Sequence, residues 1–333
     1  MTGGEVTKGR AATGDATKKR VACVGVGNVG RAWAIVFARA GFEVALYDSA
    51  AGAVKRAVAL IDRNAQDLES AGLIDSAAGL MAHIRPCEDL DEAVRDVIHV
   101  QESVREDVEI KREVFAQLGD AAPVNATLAS STSALPGSSF LEDVTARERC
   151  IVAHPVNPPS LIPLVELCPA PWTSSETVES VRTLMREIGQ HPILLKKEIA
   201  GFLLNRLQYT LVAEALHLVG EGYCEPEDID AVLTHGLAMR WAFIGPFQVA
   251  HLNSTDGFAG FVEQLGGMMR TVGEDARTDY PWDATLINRI HERLAQKTPV
   301  ADIPEAQLAR DQRIMSLLHW RAGEYDGQDG DIS

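Results

Sequence analysis

From Arg20 onward the chain alternates short, wholly apolar runs with longer segments whose apolar residues recur every three or four positions. Val21-Ala22-Cys23-Val24 carries no polar side chain, as a strand buried on both faces should. Gly25-Val26-Gly27-Asn28-Val29-Gly30 follows, and Arg31–Ala40 then runs at helical spacing to Gly41, a residue suited to the left-handed end of a helix. Phe42–Asp48 is the next strand, so this stretch predicts a βαβ unit.

The alternation continues. Helices are predicted at Ala51–Ala71, Leu90–Val94, Arg105–Leu118 and Glu176–Ile188. Strands are predicted at Ile84–Pro86, Val97–Gln101, Val124–Ala129, Cys150–His154, Leu164–Leu167 and Pro192–Leu195. Strands interleaved with helices imply an α/β fold, a doubly wound and mostly parallel sheet of the Rossmann type. From Glu198 to His319 no strand pattern remains, and the spacing is helical throughout. The expected organisation is therefore a disordered extension at 1–19, a dinucleotide-type domain at 20–197, a smaller all-helical domain at 198–321 and a frayed tail at 322–333.

Composition narrows the function. The 333 residues are 46% hydrophobic and 23% charged, an ordinary globular balance. Lys plus Arg is 31 against 47 Asp plus Glu, a net charge of −16 that argues against nucleic acid as a partner. No apolar run is long enough for a membrane span, and residues 1–19 lack the apolar segment of a secretory signal. Cys23, Cys87, Cys150, Cys168 and Cys224 are scattered and odd in number, which suits reduced thiols in the cytoplasm and suggests neither a disulfide framework nor a metal site.

The glycine run carries the first chemistry. Gly25 permits a tight turn, Gly27 lets backbone approach a pyrophosphate, and Gly30 lets helix pack on strand. The helix opening at Asn28 and Val29 then offers unpaired N–H groups to phosphates. Asp48, at the end of the second strand, would accept both adenosine ribose hydroxyls and repel a 2′-phosphate, so the cofactor is expected to be NAD. The other reading of Asp48 is a cap for the following helix.

His154 ends an apolar strand at the sheet edge where ligands of such folds bind, and Glu166 interrupts the next apolar stretch. Two short strands joined by a Pro-rich turn would pair them, with Glu166 orienting the imidazole and the other ring nitrogen acting as general base. Unrelated core polar residues are the competing reading. Asn205 shares a helical stripe with Tyr209, Val212 and Leu216, while Arg206, Thr210, Ala213 and His217 form a more polar one. It would bond either a loop carbonyl or a substrate oxygen. Ser133, in the loop after a strand, is either a helix cap or a second substrate contact.

These residues, taken in order, resemble the L-3-hydroxyacyl-CoA dehydrogenase superfamily over roughly residues 20–320: the glycine run with Asp48, the segment from Glu102 to Lys111, Ser133, His154 with its Asn-Pro, Glu166, Gly201–Arg206 and Gly245-Pro246-Phe247. The resemblance implies NAD as cofactor, His154 as base, Glu166 as its partner, Ser133 and Asn205 on the substrate oxygen, Glu102 and Lys111 at the cofactor with Glu102 near the nicotinamide ribose, and a homodimer. Gly30–Ala34, Ile151–Pro159 and Leu237–Pro246 resemble a branch that acts on a sugar acid. Pro155 and Val156 stand where acyl-CoA enzymes usually carry aromatic residues.

The expected substrate is thus a small polar 3-hydroxy acid, with short-chain acyl-CoA as the alternative and a non-catalytic structural protein as the reading of another class. Arg240 beside Gly245-Pro246 would pair the acid's carboxylate, or else a surface acid. Apolar residues such as Ile314, Leu317 and Leu318 are available for dimer packing or for an internal core.

Overall fold

A computed structural model describes residues 19–325. The expected N-terminal extension, apart from Lys19, and the last eight residues of the expected tail lie outside the described residues. The elements run in the order β1 (Arg20–Val24), α1 (Asn28–Arg39), β2 (Glu43–Tyr47), α2 (Ala53–Ser70), α3 (Ala77–Met81), β3 (Ile84–Pro86), α4 (Leu90–Val94), β4 (His99–Glu102), α5 (Val108–Ala121) and β5 (Thr127–Ser130). Then come β6 (Cys150–Pro155), β7 (Leu164–Cys168), α6 (Ser175–Glu187) and β8 (His191–Leu194).

The strands form one eight-stranded sheet in the order β3-β2-β1-β4-β5-β6-β7-β8. β1 sits between β2 and β4, both parallel to it, and the order reverses there, so a crevice opens beyond the carboxyl end of β1. β6 and β7 pair antiparallel while β7 and β8 pair parallel, so the sheet is mixed at that side. Hydrophobic periodicity carries no sign of strand direction, so the reversal is a property of the fold alone. The polarity of β1 explains its apolar run: Val21 and Cys23 enter the core on one face, Ala22 and Val24 that on the other. Trp33, Ile35 and Phe37 of α1 fill the first core, and Phe115, Leu118 and Phe140 the second. The short helix α3 begins at an N-cap, Ser76, whose hydroxyl accepts the Gly79 N–H, a signal too brief for a periodic pattern.

Beyond β8 the elements are helical: α7 (Leu204–Gly220), α8 (Pro226–Val232), a π-helical turn at Leu233–Leu237, α9 (Ala238–Trp241), α10 (Pro246–Leu252), α11 (Gly257–Asp275), α12 (Ala284–Lys297) and α13 (Ile303–Tyr325). The chain divides into two compact units, one running to Phe202 and taking in the segment from Asp311, the other Leu203–Arg310. The end of α13 thus belongs with the sheet. Met315 is buried in the α1-side core, and the partly buried Ile314 and Leu318 pack against it, as the internal-core reading of these residues has it; Leu317 remains exposed.

In the helical unit the exposed side of α7 differs from expectation. Tyr209 and Val212, from the stripe read as apolar, are exposed, whereas Ala213 and His217, from the stripe read as polar, are buried. His217 is accommodated because its ring packs on Tyr280 at 5.2 Å and its Nδ1 lies 3.2 Å from Glu214. No helix among the described residues is long and apolar enough to cross a membrane.

Candidate active site

The glycine turn is built as its spacing demands. Gly25 has φ +87°, and a Cβ there would meet the backbone of Ser103 and Val104 at 2.6–2.7 Å. A Cβ on Gly30 would lie 1.9 Å from the Gly25 carbonyl oxygen, so only glycine lets α1 close on β1. Around the Cβ direction of Gly27 there is nothing within 4 Å. Gly27 also caps α1 with no side chain on the helix N–H groups, leaving those at Asn28 and Val29 for a ligand oxygen. An open space at an uncapped helix start is the room a pyrophosphate needs.

Asp48 holds the rim of the same crevice. Its Oδ2 accepts the Val26 N–H at 2.9 Å and its Oδ1 the Ala50 N–H at 2.9 Å. It therefore braces both the glycine turn and the segment before α2, and each oxygen retains a lone pair for a ribose hydroxyl. A cleft of ≈ 580 Å³ lined by Gly25, Gly27, Asp48 and Ser103 adjoins it. The residues present fit a dinucleotide.

Glu102 ends β4 and is completely buried. Its oxygens accept from Lys111 Nζ at 2.9 and 3.2 Å, from the Ser130 hydroxyl at 2.6 Å and from the Val104 N–H at 2.6 Å. With its acceptors engaged inside the protein, it holds Lys111. Glu106 is the residue that sequence reasoning missed. Its Oε1 accepts from the Thr132 hydroxyl at 2.6 Å and from the N–H groups of Ser133 and Ala134 at 2.9 and 3.2 Å, while Oε2 lies 3.4 Å from Lys111 Nζ. One carboxylate thus ties the loop carrying Ser133 to the buried Glu102–Lys111 pair. Its side chain is 42% exposed, so an edge of it faces outward. In sequence it looks like one more charge in a polar helix start.

His154 and Glu166 are cross-strand partners in the β6–β7 register, and Glu166 Oε2 lies 2.8 Å from His154 Nδ1. Both are buried, at 4% and 0% exposure. Phe202 closes a further side of the imidazole, ring centroid to ring centroid 5.3 Å. Its φ of +50° is a left-handed conformation uncommon for a bulky residue. Nε2 makes no hydrogen bond among the described residues, so the ring is oriented at one nitrogen and available at the other. The Asn157–Pro158 peptide in the following loop is cis.

Asn205 is buried in the first turn of α7, and Arg240 is exposed in α9 just after the π-helical turn. Among the described residues no cluster of His, Cys, Asp and Glu could hold a metal.

Known proteins similar to this chain share a family with it. The family described as 3-hydroxyacyl-CoA dehydrogenase, NAD binding domain, matches residues 20–199, and its C-terminal domain matches 201–300. Lambda-crystallin of the rabbit Oryctolagus cuniculus is 41% identical over 87% of this chain and 91% of its own. The L-carnitine dehydrogenase of Oceanobacillus iheyensis is 34% identical over 90% of this chain and 97% of its own. Among solved structures, an NAD+-dependent 5-formyl-3-hydroxy-2-methylpyridine 4-carboxylic acid 5-dehydrogenase superposes with a TM-score of 0.79 at 26% identity, covering 92% of this chain and 99% of its own.

Proposed function

The chain belongs to the 3-hydroxyacyl-CoA dehydrogenase family, as an NAD-dependent oxidoreductase, and from that premise we propose that it oxidises the 3-hydroxyl of a small polar hydroxy acid, L-gulonate or a close analogue, to the 3-keto acid. The observation that carries the chemistry is the His154–Glu166 pair at 2.8 Å with Nε2 uncommitted. Bound NAD supplies the hydride acceptor. His154 Nε2 takes the hydroxyl proton, and Glu166, from the other side of the ring, stabilises the imidazolium that results. The Glu106 anchor holds the Ser133 loop in place for a contact to the substrate oxygen. Asn205 receives the same role, and Arg240 that of carboxylate partner, from sequence resemblance and side-chain chemistry.

Pro155 and Val156 after the base, and an L-carnitine dehydrogenase among the relatives, support a polar acid, while a 3-hydroxyacyl-CoA dehydrogenase at 32% identity keeps the acyl-CoA ester as the alternative. The test is a panel of 3-hydroxy acids and acyl-CoA esters followed by NADH absorbance. Gulonate oxidised with a higher kcat/KM than that for acetoacetyl-CoA reduction is the expected result; the opposite ranking overturns the substrate proposed. An Arg240→Met variant with unchanged KM would remove Arg240 from the site.

We further infer a homodimer through the helical unit. Leu207, Tyr209 and Val212 on α7, with Met268 and Val272 on α11, are large apolar side chains left 46–72% exposed. Light scattering at the mass of one chain would rule the dimer out. The unpaired buried thiols Cys23, Cys87, Cys150 and Cys168 suit a cytoplasmic setting.

A further inference from the structure

Beneath the glycine turn a line of buried polar side chains crosses the sheet, unused by any step above. His99 and Gln101 lie two residues apart on β4, so they share a face, and Thr127 on β5 is the register partner of His99. His99 Nδ1 lies 2.7 Å from Thr127 Oγ1, and His99 Nε2 lies 3.1 Å from Gln101 Oε1. Gln101 Nε2 donates to Ser131 Oγ at 2.7 Å and to the Ala153 carbonyl at 3.4 Å. Ser131 Oγ in turn lies 2.9 Å from Ser103 Oγ. Placing so many polar atoms inside a sheet is costly unless each bond is made, and a fully satisfied chain polarises along its length.

The directions of the links from Thr127 to Ser131 follow from the groups that make them. The Ala153 carbonyl only accepts, so the NH2 of Gln101 faces it and Ser131, and the amide oxygen faces His99. Burial pushes the His99 pKa down to about 4, which keeps the ring neutral with a single N–H. That proton sits on Nε2, donated to Gln101, and Nδ1 accepts from the Thr127 hydroxyl. Ser131 Oγ receives the Gln101 N–H, and in the Ser131–Ser103 pair either hydroxyl can be the donor. Where Ser131 gives its proton to Ser103 Oγ, Ser103 is an acceptor toward the protein and its own O–H is left for a ligand.

That hydroxyl stands at the cofactor crevice. Ser103 lines the cleft together with Gly25 and Gly27, and its Cβ lies 3.4 Å from where a Cβ on Gly30 would sit, beside the first turn of α1. We propose that Ser103 donates a hydrogen bond to a pyrophosphate oxygen of the bound dinucleotide, and that Gln101, through Ser131, is a positioning residue that holds the hydroxyl in its donating sense. The assignment rests on dinucleotide binding and is independent of the hydroxy acid.

Fluorescence titration with NADH, and calorimetric titration with ADP-ribose and adenosine, test it without turnover. Ser103→Ala is expected to weaken NADH and ADP-ribose about 10-fold, the loss for a hydrogen bond to a charged acceptor, and to leave adenosine unchanged. Gln101→Met and Ser131→Ala, each checked for a native unfolding transition, are expected to weaken NADH about 3-fold alone and to add nothing in the Ser103→Ala background. The Ser131 variant stands in should the Gln101 substitution prevent folding. A Ser103→Ala protein that binds NADH as tightly as the wild type overturns the cofactor contact while leaving the dehydrogenase assignment intact. Losses that add in the double variants overturn the relay.

Discussion

His154 and Glu166 face each other across the antiparallel β6–β7 seam, each the other's register partner, with Nδ1 and Oε2 2.8 Å apart. Adjacent strands fix the pair through backbone pairing and leave little of the alignment to side-chain freedom. Substituting Glu166→Gln keeps a hydrogen-bonding group at Nδ1 but removes the charge that stabilises an imidazolium. It should lower kcat about 100-fold, and His154→Asn at least as much, while NADH dissociation constants stay within about 2-fold of wild type. Stopped-flow single turnovers read the first and fluorescence titration the second.

The glycines of the turn separate stability from binding. Gly30→Ala drives a methyl into the Gly25 carbonyl and should lower the melting temperature markedly. Gly27→Ala meets nothing within 4 Å, so the protein should melt as the wild type does while NADH binding falls about 10-fold or more. Thermal unfolding with and without NADH distinguishes the two variants.

Lys111 and Glu102, 1% and 0% exposed, form an ion pair that neither partner can leave cheaply. Lys111→Met strands a buried carboxylate and should cost about 3–5 kcal/mol in chemical denaturation. Glu106→Gln weakens only the exposed arm of the network and should cost about 1 kcal/mol or less in stability, yet raise KM by loosening the Ser133 loop. A large stability loss for Glu106→Gln with KM unmoved would contradict that division of labour.

His99 predicts the acid side of the stability curve. Its folded pKa, about 4, lies below the ordinary 6.5, so the unfolded chain binds the proton more readily. Its contribution is whole above about pH 6.5 and is lost as pH falls toward 4, by about 3 kcal/mol in all. Denaturant midpoints across that window should flatten in a His99→Gln variant, after allowance for its own loss of packing.

Much of this was legible in the residues because the fold spends strong local signals on them. The apolar strand of Val21–Val24, the glycine run and the terminal Asp48 state a βαβ unit on their own. His154 and Glu166 stood out as polar interruptions of apolar strands, and burial against an opposite-strand partner is what such interruptions need. Glu106 was hidden because its bonds run to Thr132, Ser133 and Ala134, which no local spacing connects to it. Gln101 was hidden for the opposite reason: it was absorbed into an apolar strand, although its chemistry lies in a chain of bonds spanning three strands. On α7 the expected faces failed because burial follows the neighbours, and Tyr280 makes room for His217 where hydropathy would place Tyr209.

The last helix carries a practical corollary. Because Met315 is buried in the α1-side core and Ile314 and Leu318 pack on it, the dinucleotide-binding half is assembled from both ends of the polypeptide. A gene fragment stopping at Phe202 would leave an apolar socket open to water. Any attempt to excise the cofactor half as a free-standing module must carry this terminal helix with it, spliced on or supplied in trans.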